Sequence, residues 1–158
     1  MTNEQIIATA AQFELCGEVI HIEECHNGHI NRTYFLTCRN GEGSRRYVMQ
    51  MINTNIFKKP DEVMENIVNV TAHIIQGYVA KNQDPFRRTL SVIWTRNCRW
   101  GYIDDDGRYW RMYDFIGGFC LDAPESEEDF YQSALAFGRF QHMLSDFPSH
   151  TLYETIPE

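Results

Sequence analysis

The sequence lacks several features that would assign it to a broad class of protein. No stretch holds 18 consecutive apolar residues, so we expect no transmembrane helix. The first 18 residues carry Glu4 and Glu14 and no basic residue, unlike a secretory signal. Positive charge is scarce, because 14 lysines and arginines stand against 22 aspartates and glutamates and leave a net charge of −8. Since such a surface repels phosphate backbones, we expect neither a nucleic-acid nor a membrane partner.

Cysteines are too few and too irregularly spaced to predict a disulfide framework. They are odd in number, and no pair has C-x-x-C spacing: Cys16, Cys25, Cys38, Cys98 and Cys120. This pattern indicates reduced thiols and a cytoplasmic location. Cys25, His26 and His29 are close in sequence, but no fourth ligand follows at a zinc-type spacing, so we expect no bound metal.

The length of 158 residues is typical of one domain that can bury its own core. Apolar residues at helical spacing predict helices over about 3–14, 60–78 and 126–146. Thr2 and Gln5 predict a capping box for the first helix, and Pro60 opens the second. The apolar stripe of the third helix, which includes Phe130 and Phe137, is expected to be buried, and the last ten residues show no further element.

Runs rich in β-branched and aromatic residues predict the strands, at 18–25, 30–38, 45–53, 89–95, 99–103 and 108–116. Turn sequences separate them, among them Asn-Gly at 27–28 and an acidic turn ending in Gly107. Hairpins therefore dominate. We predict an α+β fold with a mainly antiparallel sheet of five to six strands, one packed helix, an N-terminal helix and a C-terminal linker helix.

A polar turn, HNGHINRT at 26–33, joins the first two predicted strands. A glycine-containing strand-turn-strand can fold over the phosphates of a nucleotide and offer them backbone N–H groups. Gly28, His29, Asn31 and Thr33 are therefore candidate nucleotide-binding residues. An ordinary hairpin turn remains the alternative, because Gly28 is the only glycine in the segment.

Three strands followed by a helix with a glutamate resemble the smaller lobe of a protein kinase. In that lobe a lysine on the third strand pairs with the helix glutamate and binds phosphates. Alternation along YVMQMIN puts Val48 and Gln50 on one face and turns Tyr47, Met49 and Met51 the other way. Gln50 would take the lysine position and Val48 the roof over adenine. Glu65 or Asn66 would reach toward Gln50; alternatively, all three polar side chains face solvent.

Three segments resemble a more specific family: GHINRTYFLT at 28–37, YVMQMINTNIFKKPDEVMENI at 47–67 and WRMYDFIGG at 110–118. They resemble the aminoglycoside phosphotransferase and choline kinase superfamily, and within it the N-acetylhexosamine 1-kinase-like branch. A glutamine at the position of Gln50 is normal in that branch. The resemblance covers about residues 17–146 and implies a kinase-like lobe that binds ATP.

By the same resemblance, the segment 110–118 is the hinge that holds adenine. The Tyr113 carbonyl would accept a hydrogen bond from the adenine amino group, and the Phe115 N–H would donate one to the ring. Met112 would line the back of the pocket. A buried strand end is the other reading of these residues, and both can hold together.

The resemblance also implies a second, larger lobe with H-x-D-x-x-x-x-N and a further acidic motif for magnesium. No histidine of this chain is followed two residues later by aspartate, and the acids at 104–106 lie in a turn before the hinge. We therefore expect residues 1–118 to form the nucleotide-binding lobe and 119–158 a linker and the first helix of a truncated lobe. Magnesium and the small-molecule acceptor would be bound outside this chain.

The expected function is that of the ATP-binding lobe of a kinase acting on a sugar or amino-sugar hydroxyl, inactive by itself. A non-catalytic nucleotide- or partner-binding module is the alternative. The predicted helix 126–146 carries more aromatic residues than a two-layer lobe can cover: Phe130, Tyr131, Phe137 and Phe140. Because uncovered apolar surface usually marks an interface, we expect a homodimer through this helix.

Overall fold

The computed structural model describes residues 1–26, 28, 30–118 and 123–156. Its elements follow in the order α1 (Asn3–Ala10), β1 (Glu18–Cys25), β2 (Arg32–Asn40), β3 (Gly43–Met51), α2 (Pro60–Ala80), β4 (Tyr102–Ile103), β5 (Tyr109–Asp114), α3 (Glu127–Met143) and a 3-10 helix (Ser149–Thr151). The fold is α+β, as predicted, with one five-stranded antiparallel sheet in the order β1-β2-β3-β5-β4. The predicted division into residues 1–118 and 119–158 stays a prediction.

The N-terminal helix begins with the predicted capping box. The Thr2 hydroxyl accepts a hydrogen bond from the Gln5 N–H, and the Gln5 side chain accepts one from the Thr2 N–H. The helix ends at Ala10, four residues earlier than predicted, because the following residues bond elsewhere. The Glu14 N–H donates to the Trp94 carbonyl at 2.9 Å, which draws the chain away from the helix axis.

The segment predicted as a strand at 89–95 forms only isolated bridges. Its first half pairs with β5: the Ile93 N–H donates to the Met112 carbonyl at 2.9 Å, and the Asp114 N–H donates to the Ser91 carbonyl at 3.0 Å. Thr95 instead bridges to the loop after α1. Because two different partners share this short segment, it does not form a continuous ladder.

Strand alternation divides the sheet into a core face and an open face. The core face packs against α1 through buried side chains that include Tyr47, Met49 and Met112. As predicted, Tyr47 and Met49 point to the core face, whereas Val48 and Gln50 point to the open face. A smaller cluster of Ile52, Met64 and Tyr109 packs α2 against the sheet. Among the described helices, none has the length and apolarity needed to cross a membrane.

The C-terminal part differs from two expectations. None of the described side chains of α3 is buried, so the prediction of a buried stripe is wrong; Phe130 and Phe137 are 68% and 69% exposed. The final ten residues, predicted to hold no element, contain the 3-10 helix. The final ten residues also contact α2. The Asn66 side chain donates a hydrogen bond to the Tyr153 carbonyl and accepts one from the Tyr153 N–H.

Candidate functional site

The open face of the sheet forms the floor of a cleft of about 780 Å³. Cross-strand register places Phe35 opposite Val48, and Val48 opposite Tyr113, so that three strands contribute one row of side chains. The α2 residue Ile67 and the neighbouring Leu90 add apolar walls. The segment 114–118 closes one end. The cleft is thus apolar along its floor and bordered by main chain at one end.

A second row of three aligned residues makes the cleft polar farther along the strands. Thr33, Gln50 and Arg111 are cross-strand neighbours on β2, β3 and β5. Gln50 Oε1 accepts from Arg111 Nε and Nη2 at 3.0 and 2.9 Å, and Gln50 Nε2 donates to Thr33 Oγ1 at 3.0 Å. These bonds define which end of the Gln50 amide is the oxygen. Burial lowers the pKa of Arg111, yet an arginine stays charged at neutral pH.

The expected pair between Gln50 and the second helix is not formed. Asn66 bonds to the Tyr153 backbone, and Glu65 lies 3.5 Å from the Tyr153 hydroxyl. The predicted partners of Gln50 were therefore wrong, because the C-terminal segment engages both helix residues. Arg111, which sequence reasoning missed, takes their place. Alternation along RYWRMYDFI could have identified Arg111, since it puts Arg111, Tyr113 and Phe115 on one face of the strand.

At the end of β5, the backbone groups that are not paired with β3 lie one residue further along the chain than expected. The Phe115 N–H donates to the Arg46 carbonyl at 3.1 Å, and the register directs the Tyr113 carbonyl toward Val48. The prediction that these two groups are open to the cleft is therefore wrong. Successive backbone groups along a strand point to opposite sides. The Asp114 N–H accordingly points away from β3, to Ser91.

The same alternation leaves an acceptor and a donor at the cleft border. Within the described part of the chain, neither the Asp114 carbonyl nor the Ile116 N–H has a hydrogen-bond partner. Both residues border the cleft. The Asp114 side chain bonds to Arg45, so the residue offers its main chain to the cleft. An acceptor and a donor two residues apart can bind one planar group that has both functions on one edge.

Met112 does not line the cleft. It is fully buried in the α1 core, on the opposite face of the sheet, so its predicted role at the back of the pocket is wrong. Tyr113 occupies that position instead, and burial raises the pKa of its phenol to about 12. The tyrosine is therefore neutral, and the Arg111 guanidinium lies 5.2 Å from its ring centre.

Aromatic and cationic side chains form the rim beside segment 114–118. The rings of Phe35 and Phe115 meet edge to face at 5.6 Å, and the Arg46 guanidinium lies 4.1 Å from the Phe115 ring centre. Arg46 also approaches Glu23 at 3.9 Å. Sequence reasoning missed Arg46, although the period of two from Val48 would have placed it on the same face.

Of the polar turn, Gly28 lies near the Thr33 end of the cleft. A Cβ atom added to Gly28 would lie 3.9 Å from Thr33 Oγ1, the atom that binds Gln50. The Asn31 side chain is held in place, because its Oδ1 accepts a hydrogen bond from the Asn53 N–H, just after β3, at 3.0 Å. The predicted site residue His29 lies outside the described residues.

The acidic turn before β5 has a structural role. Asp104 accepts hydrogen bonds from the Arg108 side chain and from Trp110 Nε1 at 2.7 and 2.8 Å. Among the described residues, no group of three or more His, Cys, Asp or Glu side chains is placed to hold a metal ion. Compared with protein-family models, the chain matches none.

Proposed function

We propose that this chain is the ATP-binding lobe of a small-molecule kinase. The observation that supports this most directly is the pair formed by the Asp114 carbonyl and the Ile116 N–H at the apolar end of the cleft. Adenine carries an amino donor beside a ring-nitrogen acceptor, so one edge of the base can satisfy both groups. Val48 and Phe35 would cover its face, as flat apolar rings require.

In this proposal the nucleotide runs along the sheet from segment 114–118 toward Gln50 and the turn at Gly28. Gly28 and Thr33 border the phosphate end, and the Asn31 side chain is held in place. The lobe contributes positioning, which is a large part of phosphoryl transfer. Magnesium ligands and the residue that accepts the acceptor's proton would come from outside this chain. By the resemblance noted above, the acceptor is a sugar or amino-sugar hydroxyl.

A non-catalytic binding module is the second candidate, and the exposed face of α3 favours it. Phe130, Tyr131, Phe137 and Phe140 are all exposed on this helix. We propose that this face mediates self-association, most simply as a homodimer. We also propose a cytoplasmic location, which the free thiols of Cys16, Cys25, Cys38 and Cys98 support.

Calorimetric titration of the purified chain with adenosine and ATP tests the nucleotide proposal. We expect adenosine to bind, and a coupled ATPase assay to show no turnover. Inosine is a matched control ligand, because it replaces the adenine amino group with a carbonyl oxygen and should bind at least tenfold more weakly. Absence of adenosine binding at millimolar ligand would overturn the assignment of the cleft. Turnover that survives repurification would overturn the proposal that the chain is inactive by itself.

A further inference from the structure

We propose that Arg111 supplies the positive charge for the nucleotide phosphates and that Gln50 holds its guanidinium in place. This inference rests on the proposed nucleotide function and assigns the phosphate end of the same cleft. The positive charge that faces the phosphates then lies on β5, whereas in the kinase-like lobe described above it belongs to a lysine on the third strand.

The hydrogen bonds of Arg111 leave part of its guanidinium unused. Nε and Nη2 each donate to the single oxygen Oε1 of Gln50. An arginine has five N–H donors, so the other three have no protein partner among the described residues. The only described, fully buried side-chain polar atom without a partner is the Tyr34 hydroxyl. Arg111 Nη1, which carries two of the three unused donors, is therefore not fully buried, and Arg111 lines the cleft.

The charge environment of Arg111 favours an anionic ligand, as its unused hydrogen-bond donors do. No described carboxylate lies within 4 Å of Arg111, whereas Arg32, Arg45 and Arg108 each contact one. A half-buried cation with only neutral partners has lost hydration without gaining a counter-charge, so an anion that enters the cleft completes its environment. The planar fork of a guanidinium matches two oxygens of a phosphate group.

Gln50 makes this arrangement possible because it is neutral. Its oxygen orients Arg111 without neutralising it, and its nitrogen is held by Thr33. A carboxylate at position 50 would form a two-point ion pair with the guanidinium and compete with phosphate. Arg111 and Asp114 are three residues apart on one strand, so about 10 Å separates them along the sheet. That interval leaves room for a ribose between base and phosphates.

The test compares three probes on four proteins. The probes are ATP, adenosine and inorganic tripolyphosphate, titrated calorimetrically without metal. The proteins are the unaltered chain, Arg111→Gln, Gln50→Glu and Arg139→Gln. Arg139 is an exposed residue of α3, so its variant makes the same change in net charge outside the cleft. Gln50→Glu keeps the arginine and its packing, and it covers the case in which Arg111→Gln fails to fold.

We expect Arg111→Gln and Gln50→Glu to lower the affinity for ATP and tripolyphosphate about ten- to a hundredfold, the range for a hydrogen bond to a charged group. Adenosine should bind both variants as it binds the unaltered chain, and Arg139→Gln should change all three affinities less than threefold. Unchanged tripolyphosphate binding in the folded variants overturns the role of Arg111, while adenosine binding would leave the nucleotide function standing. Binding of tripolyphosphate without adenosine supports the anion site and overturns the nucleotide function.

Discussion

Arg45 and Asp114 form a two-point ion pair between β3 and the end of β5. Arg45 Nε lies 2.7 Å from Asp114 Oδ1, and Nη2 lies 2.5 Å from Oδ2. The Asp114 side chain is only 11% exposed. This pair lies on the face opposite the cleft and holds the residue whose carbonyl borders it. The ion pair therefore contributes both to stability and to the position of the proposed adenine-binding edge.

Arg45→Met should lower the free energy of unfolding by about 1–3 kcal/mol, because it leaves the largely buried Asp114 carboxylate without its partner. Arg32→Met is the matched control. It removes an arginine from a more exposed pair with Glu24, so its cost should stay below about 1 kcal/mol. Urea denaturation monitored by tryptophan fluorescence measures both. Equal losses in the two variants would contradict the proposed importance of burial.

Ile116→Pro removes the N–H that we assign to adenine, whereas Ile116→Ala keeps it. We expect the proline variant to bind adenosine about ten times more weakly, which corresponds to about 1.4 kcal/mol for one lost hydrogen bond. The alanine variant should bind within twofold of the unaltered chain, because the backbone is intact. Calorimetric titration compares the two, after thermal unfolding has established that each is folded. Equal affinity in the proline and alanine variants would rule out the Ile116 N–H as a ligand.

The exposed aromatic face of α3 should support self-association. Phe137→Glu introduces a charge into this face, so we expect it to shift the chain from dimer toward monomer. Gln132→Glu adds the same charge at an exposed polar position on the opposite side of the helix and should leave the dimer intact. Sedimentation equilibrium at micromolar concentration measures the association. An unaltered chain that is strictly monomeric would overturn the proposed dimer.

The buried thiol of Cys38 should make stability depend on alkaline pH. Burial raises the pKa of this thiol to about 11 from an ordinary value of 9.0. Between those values the unfolded thiol ionises while the folded one keeps its proton. Cys38 therefore contributes stability that is fully present below pH 9 and is lost as pH rises toward 11.

From pH 8 to pH 10.5 we expect this contribution to fall by roughly 2 kcal/mol. Urea denaturation at the two values should show a smaller fall for Cys38→Ala than for the unaltered chain. Cys98→Ala alters an exposed thiol and should keep the fall of the unaltered chain. A Cys38→Ala variant with the same pH dependence as the unaltered chain would contradict the prediction.

Local patterns in the sequence were sufficient to predict the fold class and the residues of β3 that face the cleft. Residues within one helical turn decide the capping box at Thr2, and alternation along one strand decides that Val48 and Gln50 share a face. Both depend only on neighbours in the chain, so they can be predicted without knowing the partners. The acidic hairpin turn closed by Gly107, which has a φ of +76°, is local in the same sense.

The contacts that make the cleft a candidate site depend on partners far apart in the chain. Arg111 meets Gln50 only because β5 pairs with β3 in one particular register. A shift of one residue would turn its side chain to the core face, and the same sensitivity misplaced the predicted backbone groups of Tyr113 and Phe115. By itself the sequence determined the α+β fold and the face of β3. Only the tertiary structure decided which cation and which backbone groups reach the cleft, because strand register is set by packing across the whole sheet.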